Sequence, residues 1–264
     1  MHRFVLATTL ALAFALGGPI GCNNEPQIDP AEAAARLKMD LASARVLLKD
    51  GNLDKATAIY QKVLEQEPKN ADAIFGMGRV HYAQEQFDKA LTLLQQAAAA
   101  KPDDPEYQFY LGECLRIMEK PAEAAVAYGK AFELDAENGE YGLWYGKALK
   151  DAKKYEQAEE VLRKVAEIDV QATFVFTELG DVLREQGKTD EALIMYMKAQ
   201  NVHPGDRMAH AGAAFVYEDK GDIKHALDEW SAYIRMDCCS KFSVDVAKKK
   251  LTELTEKSQA GEAG

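Results

Sequence analysis

The sequence predicts an all-α solenoid, six helix–turn–helix repeats of equal length with one further helix capping the C-terminal end. Three observations predict it. Ala56, Ala90, Ala124, Ala158, Ala192 and Ala226 recur at one constant interval, thirty-four positions, without a slip, and a period of that length marks a repeat architecture. Twelve positions before each alanine stands a small residue: Ala44, Gly78, Gly112, Gly146, Gly180 or Ala214. The 264 residues hold only 8 prolines, are rich in Ala, Leu, Glu and Lys, and lack β-branched runs, a composition that favours helices throughout. Because each repeat of such an array touches only its neighbours, length here does not count compact domains.

The chain begins outside the repeat. Met1-His2-Arg3 is a short basic start, Phe4–Leu16 is an uncharged apolar run, and Gly17-Gly18-Pro19-Ile20-Gly21-Cys22 ends it. Such a run is short for a membrane span and suits the core of a signal peptide. Cys22 follows Gly21 where a bacterial lipoprotein is cut and acylated, so residues 1–21 resemble a lipoprotein signal, with Cys22 as the lipidation site. That family's motif usually places Leu three positions before the cysteine, where this chain has Pro19. An ordinary secretory signal cleaved nearby and a purely structural Cys22 are the alternative readings. Residues 22–36, which include Asn23-Asn24-Glu25-Pro26-Gln27-Ile28-Asp29-Pro30, read as a tether, since they offer little apolar surface to bury. A lipidated cysteine on such a tether would hold the repeats at a membrane surface.

Counted from the nineteenth position before each alanine, the repeats are 37–70, 71–104, 105–138, 139–172, 173–206 and 207–240. In the second, Ile74, Met77, Gly78 and His81 recur at i, i+3, i+4 and i+7, the stripe of one amphipathic helix. Phe87, Ala90, Leu91, Leu94 and Ala97 form the stripe of a second helix, and Pro102 closes the repeat as Pro68 and Pro204 close theirs. The small residue of the first helix is expected to face the alanine of the second, because a larger side chain would overpack a close helix contact. Tyr60, Leu94, Tyr128, Leu162, Tyr196 and Trp230, four positions after each alanine, are the expected core. After the last repeat Val244, Ala247, Leu251 and Leu254 make one stripe of a half-polar helix, 241–257, suited to covering an exposed final repeat. Residues 258–264 are left as a disordered tail.

The six alanines, the pairs Leu111-Gly112 and Leu179-Gly180, and the closing prolines of three repeats resemble the tetratricopeptide repeat. That pattern has Trp, Leu-Gly, Tyr, Ala, Phe and Pro at set spacings within a repeat of about 34 residues, and the resemblance covers 37–240. It implies a right-handed solenoid that binds a peptide along the surface lined by the first helix of each repeat. Positions 2, 5, 6, 9, 12 and 13 of a repeat share one helix face, opposite the packed stripe. On this face lie the candidate groove residues Arg45, Phe75, Arg79, Tyr82, Phe109, Tyr110, Arg116, Leu143, Trp144 and Lys147. Aromatic rings beside cationic groups are the composition of binding hot spots. Packing between neighbouring repeats would use the same aromatics and is the preferred reading for any one of them, whereas the strip in repeats 2 to 4 as a group reads as a binding surface. The first repeat's face carries three positive groups and the sixth two negative ones, so a bound segment is expected to offer apolar anchors with acidic residues between. The chaperone-binding branch of the family clamps a terminal carboxylate with Lys and Asn one turn apart; Leu41/Arg45 and Phe75/Arg79 stand at those spacings here, with no Asn, so that role is not supported.

Other chemistry is poorly supported. A net charge of −11 disfavours nucleic acid. Cys114, Cys238 and Cys239 are too few for a disulfide framework and have no zinc-site spacing; Cys114 reads as a buried small hydrophobe, and Cys238-Cys239 as a vicinal disulfide or two inert thiols. His81 sits in the packed stripe and is expected to be a hydrogen-bonded core residue. His225 and Glu229, four apart on a helix, lack a third metal ligand. With no nucleophile motif and no phosphate-cradling glycine loop, the reading is a non-enzyme without metal or cofactor. The function expected is a protein-interaction scaffold in a cell-envelope complex, anchored to the outer membrane on the periplasmic side. Six repeats behind a lipidated cysteine are similar to the pilotin lipoproteins that assist type IV pilus secretins. A self-associating module and an accessory metal-binding enzyme are the rival readings.

Overall fold

The computed structural model describes residues 29–168 and 174–262, so the signal-like segment 1–21 and Cys22 lie outside the described residues. Helices α1 (Pro30–Lys49) and α2 (Leu53–Gln66) make repeat 1, α3 (Ala71–Ala83) and α4 (Phe87–Ala100) repeat 2, and α5 (Pro105–Ile117) and α6 (Pro121–Leu134) repeat 3. Repeat 4 is α7 (Gly139–Asp151) with α8 (Tyr155–Ile168), repeat 5 is α9 (Val175–Glu185) with α10 (Thr189–Val202), and repeat 6 is α11 (Arg207–Asp219) with α12 (Ile223–Met236). A π-helical turn over Ser243–Ala247 then leads into α13 (Lys248–Glu262). The repeats form an all-α helical solenoid in which, from α2 onward, each helix packs against its neighbours in sequence. No described helix is long and apolar enough to cross a membrane.

Two local devices set these boundaries. The residue just before the first helix of repeats 2, 3, 4 and 6 is Asn70, Asp104, Asn138 or Asp206, and its side chain accepts one or two of the free N–H groups of the first turn. The sequence has Ala172 at that place in repeat 5, and α9 starts late, at Val175, behind a Phe174 in the left-handed region at φ 70°. The turn inside every repeat carries a left-handed residue at its fifteenth position: Gly51, Glu85, Glu119, Lys153, Gly187 or Gly221, with φ between 57° and 76°. This closes a Schellman-type turn in which the next N–H reaches back to the eleventh carbonyl, as Gln86 does to His81 at 2.9 Å. Three of the six residues are not glycine and adopt the conformation at some cost in local strain.

The six alanines are fully buried, and so are the six large residues four positions on, none more than 1 % exposed. The small residue of the first helix in repeats 2 to 5, a glycine, lies against this large residue. A Cβ added at Gly112 would stand 2.7 Å from Tyr128 Cδ1, at Gly146 2.6 Å from Leu162, and at Gly180 2.7 Å from Tyr196 Cε1. The backbone gap is thus filled by a side chain, and each such residue withdraws enough apolar surface to contribute about 1.5–3 kcal/mol. Two of the rings also reach the next repeat: a Cβ at Gly76 would lie 2.2 Å from Tyr60 Cζ, and one at Gly212 would lie 2.3 Å from Tyr196 Cε1. One contact therefore closes a repeat and docks its successor.

Both ends differ from expectation. Residues 30–36, placed in the tether, are helical: Asp29 caps them, accepting from Ala31 N at 3.0 Å, with Pro30 and an alanine-rich run behind it. At the other end α13 continues to Glu262, beyond the expected limit at 257. Val244 is 48 % exposed, whereas Ser243, Ala247 and Leu254 are buried. The π-turn inserts one residue into the helical phase and rotates Val244 outward, so the cap seats Phe242, Val246, Ala247, Leu251 and Leu254 against the Trp230 and Tyr233 cluster.

Gly180→Ala would gain helix propensity of about 1 kcal/mol and lose about 1–3 kcal/mol by overpacking Tyr196. A net loss in urea-denaturation stability is expected, while Gly205→Ala, with nothing within 4 Å of the new methyl, should stay within about 0.5 kcal/mol of the parent. A more stable Gly180→Ala chain would contradict the seating of Tyr196.

Candidate interaction groove

Charged residues at the ninth and twelfth positions of the first helices are joined mostly across repeat boundaries. Arg45 pairs with Asp72 of the next repeat at 3.1 Å, and Arg79 with Glu106 at 3.1 Å. Lys147 and Lys150 both reach Glu178 at 2.5 Å, and Lys150 also reaches Asp181 at 3.1 Å. Arg116 pairs within its own helix with Glu113 at 3.0 Å, and Glu113 also accepts from Tyr128 and, at 3.3 Å, from Tyr82 of the preceding repeat. At the C-terminal end Lys250 of the cap takes the corresponding place, 2.8 Å from Glu218.

Among the residues singled out in the sequence, Phe75 is not in the groove. It is 1 % exposed, stacked on Tyr107 at 4.1 Å and met edge-on by Tyr110, because its fifth position points into the seam between first helices. Phe109 and Leu143, at the same position, are half-buried and pack on the central core; Phe109 also meets the rings of Tyr110, Tyr128 and Tyr141. Arg45 is exposed, and Arg79, Tyr82, Tyr110, Arg116, Trp144 and Lys147 are half-buried. Arg79 lies over the Tyr110 ring at 4.1 Å. Trp144 has the Arg116 guanidinium at 4.8 Å and the Lys147 ammonium at 5.2 Å from its ring centre. The groove is therefore a row of rings braced by cations that are themselves paired, rather than a row of free positive charges.

The pairing partners Asp72, Glu106, Glu113 and Glu178 escaped the sequence reading. For Asp72, Glu106 and Glu178 the signal was present as opposite charges 27 or 31 positions apart, the separations of Arg45–Asp72 and Lys147–Glu178; for Glu113 it was Arg116 one helical turn on. Glu178, 8 % exposed, is the most enclosed of them. Burial pushes its carboxyl upward, but Lys150 and Lys147 more than offset this and hold it below its ordinary value. Burial pulls the Lys150 ammonium the other way, and the charges of Asp181 and Glu178 outweigh it and hold the group above the usual lysine range.

The remaining reactive side chains are accounted for locally. His81 is half-buried rather than core and bonds to Gln86 at 3.1 Å. His225 meets Asp222 at 2.7 Å, whereas Glu229 lies 2.5 Å from His210, so the two do not form a pair. Cys114 is buried, and Cys238 and Cys239 are exposed free thiols. Among the described residues no three His, Cys, Asp or Glu are gathered to hold a metal ion. A cleft of 660 Å³ lies outside the groove, lined by Phe132, Ala136, Tyr145, Val161, Lys164 and Ile168 among others.

Fold and groove together define a helical repeat protein whose first helices present an aromatic face. Tetratricopeptide repeat models match residues 47–109, 115–173 and 175–205, and the chain belongs to the tetratricopeptide repeat family. No curated protein matches it. Among solved structures it is similar to PilW, a type IV pilus biogenesis factor, at 20 % identity and TM-score 0.67, covering 80 % of this chain and 97 % of PilW. PilF of Pseudomonas aeruginosa is similar at 18 % identity and TM-score 0.66, over 85 % of this chain and 98 % of PilF. YrrB, described as having an unusual peptide-binding site, is similar at 20 % identity and TM-score 0.59, over 72 % and 97 %. At these identities the likeness concerns the fold.

Glu178 gives the groove a pH signature. Its folded value is depressed, so its contribution is complete above the unfolded carboxylate value of 4.5 and is lost as pH falls through the folded one. Glu178→Gln should cost about 1–3 kcal/mol at pH 7 by leaving Lys147 unpaired and Lys150 with Asp181 alone, and should lose less stability than the parent on acidification below about pH 4.5. Parallel stability–pH curves for the two chains would contradict the assignment.

Proposed function

We propose that this chain is a periplasm-facing lipoprotein that scaffolds assembly of a cell-envelope complex by holding a polypeptide segment of a partner along the first-helix groove. The observation that carries the reading is the row of Tyr82, Tyr110 and Trp144, half-buried rings on the groove face whose flanking cations are already paired. Rings held rigid before binding lose little entropy on contact, which suits them as anchors. Because Arg79, Arg116 and Lys147 have partners, the segment is selected chiefly by its apolar side chains, and acidic residues between those anchors matter less than the bare sequence implied. Residues 1–22 support the address: a basic start, an apolar run and Cys22 in lipoprotein order, with Pro19 as the departure.

A more specific reading is a pilotin-like factor for type IV pilus secretin assembly. Its support is the near-complete coverage of PilF and PilW together with the signal-like start. A photoreactive residue at position 110 or 144 in cells should crosslink one common envelope protein, and the same residue at the exposed second-helix position 126 should not. Trp144→Ala should weaken that partner by about 2–4 kcal/mol, the size of a hot spot, while melting like the parent. In the same cells Cys22→Ser should remove the acyl mass and release the chain from membranes. Crosslinks from position 126 alone, or an unchanged affinity of folded Trp144→Ala, would place the partner elsewhere, and an unmodified soluble parent would sink the anchor.

A further inference from the structure

The cleft of 660 Å³ outside the groove is built from features that only repeats 3 and 4 possess, and its size is that of a ligand pocket, about 300–1,000 Å³. It is lined by Tyr145, the seventh residue of repeat 4, where the other repeats carry Ser43, Met77, Leu111, Leu179 or Ala213. The ring reaches α6 because the twenty-fifth residue of repeat 3 is Gly129, where an added Cβ would stand 3.1 Å from Tyr145 Cε2 and Cζ. No other repeat has glycine at that position, and a glycine inside a helix costs about 1 kcal/mol relative to alanine. Ala136, which also lines the cleft, takes the place of the proline that closes repeats 1, 2 and 5.

The cleft is apolar within and acidic around its edge. Phe132 and Val161 are buried in its wall, and Tyr145 is half-buried. Leu134 and Ile168, the thirtieth residues of consecutive repeats, are 41 % and 45 % exposed. The charged lining is Glu133, Glu160 and Glu167 against Lys164. Lys164 is engaged by Glu160 at 2.7 Å, whereas Glu133 and Glu167 are exposed and have no ion-pair partner among the described residues. Burial raises the Tyr145 phenol above its ordinary value, and Glu133 and Glu160 push it the same way with only Lys164 opposing. The ring therefore faces net negative charge.

We propose that this cleft is a second docking site, for a cationic segment of a partner polypeptide that seats one aliphatic or aromatic side chain against Tyr145 and Phe132. Lysine or arginine on either side of that anchor pairs with Glu133 and Glu167. Charge complementarity selects this occupant: a second copy of the chain, at net charge −11, would bring like charge to an acidic edge. Leu134 and Ile168 extend the apolar contact between repeats, which suits a polypeptide better than a small ligand. The site is distinct from the groove. On α7, Trp144 has Arg116 and Lys147 about its ring, whereas the next residue, Tyr145, faces carboxylates. One helix thus serves two sites of different chemistry.

The test is an NMR titration of the full chain with labelled isoleucine methyls and tyrosine rings, following Ile168 and Tyr145. The probe is an N-acetylated, C-amidated peptide with leucine between two pairs of lysines. It should give saturable shifts at both residues and bind more weakly as salt rises. The same peptide with a central glycine, or with glutamates in place of the lysines, should bind at least fivefold more weakly. Ala136→Trp, which fills the cleft from an exposed position, should weaken the lysine peptide at least tenfold. Glu133→Lys with Glu167→Lys should do the same and let the glutamate peptide bind. Glu65→Lys with Glu256→Lys, an equal change of net charge in the first repeat and the cap, should leave the lysine peptide bound as in the parent. Equal binding of the lysine and glutamate peptides, or an unchanged affinity in folded Ala136→Trp, would overturn the proposal. So would a mass by light scattering that rises with concentration in the parent but not in Ala136→Trp, which would assign the cleft to a second copy. Crosslinks at position 144 report on the groove alone, so the two sites can fail separately.

Discussion

Repeats 2 to 5 are each closed by one contact, the large side chain at the twenty-fourth position seated on the glycine at the eighth. Tyr128 on Gly112, Leu162 on Gly146 and Tyr196 on Gly180 leave no room for a methyl between them. That seating fixes how closely the first helix approaches the second. It also sets where the first helix points its ninth and twelfth residues, and so the groove follows from it. Because Tyr60 and Tyr196 also touch Gly76 and Gly212 of the following repeat, the same contact carries order along the array. The cross-repeat ion pairs and the Phe75–Tyr107 stack add to it, since each repeat touches only its neighbours.

Most of the fold was legible because it is periodic. The alanines, the small residues and the large core residues name their own positions, and the helix limits follow from Asn70, Asp104, Asn138 and Asp206 as caps. Non-periodic features were read less well. The π-turn at Ser243–Ala247 shifts a helical phase that a sequence stripe assumes constant, so Val244 was misplaced. The helical start at Pro30 depends on Asp29 as a cap, a signal present in the sequence but hidden by its polar surroundings. The seating of the large residue on the glycine of the first helix needs three-dimensional knowledge of how far a tyrosine reaches.

The groove was legible as a face and misread as an electrostatic surface. Counting charges repeat by repeat gave a positive end and a negative end. The structure links Arg45 to Asp72 and Arg79 to Glu106 across repeats, so these two arginines are neutralised where they stand. Half-exposed pairs of this kind contribute little stability singly, but they hold the long side chains flat against Tyr110 and Trp144 and so present the rings. Phe75, identical in type to its neighbours, lies in the seam between helices instead. Position within the repeat, not residue type, separates an anchor from a core residue.

The seating contact is most directly tested by native-state hydrogen exchange on Tyr128→Ala, which empties the seat on Gly112 and leaves those on Gly78, Gly146 and Gly180. The account predicts loss of protection concentrated in α5, α6 and the adjoining α7, with α11 and α12 exchanging as in the parent. Uniform loss across all six repeats, or unchanged protection in α5 and α6, would contradict it.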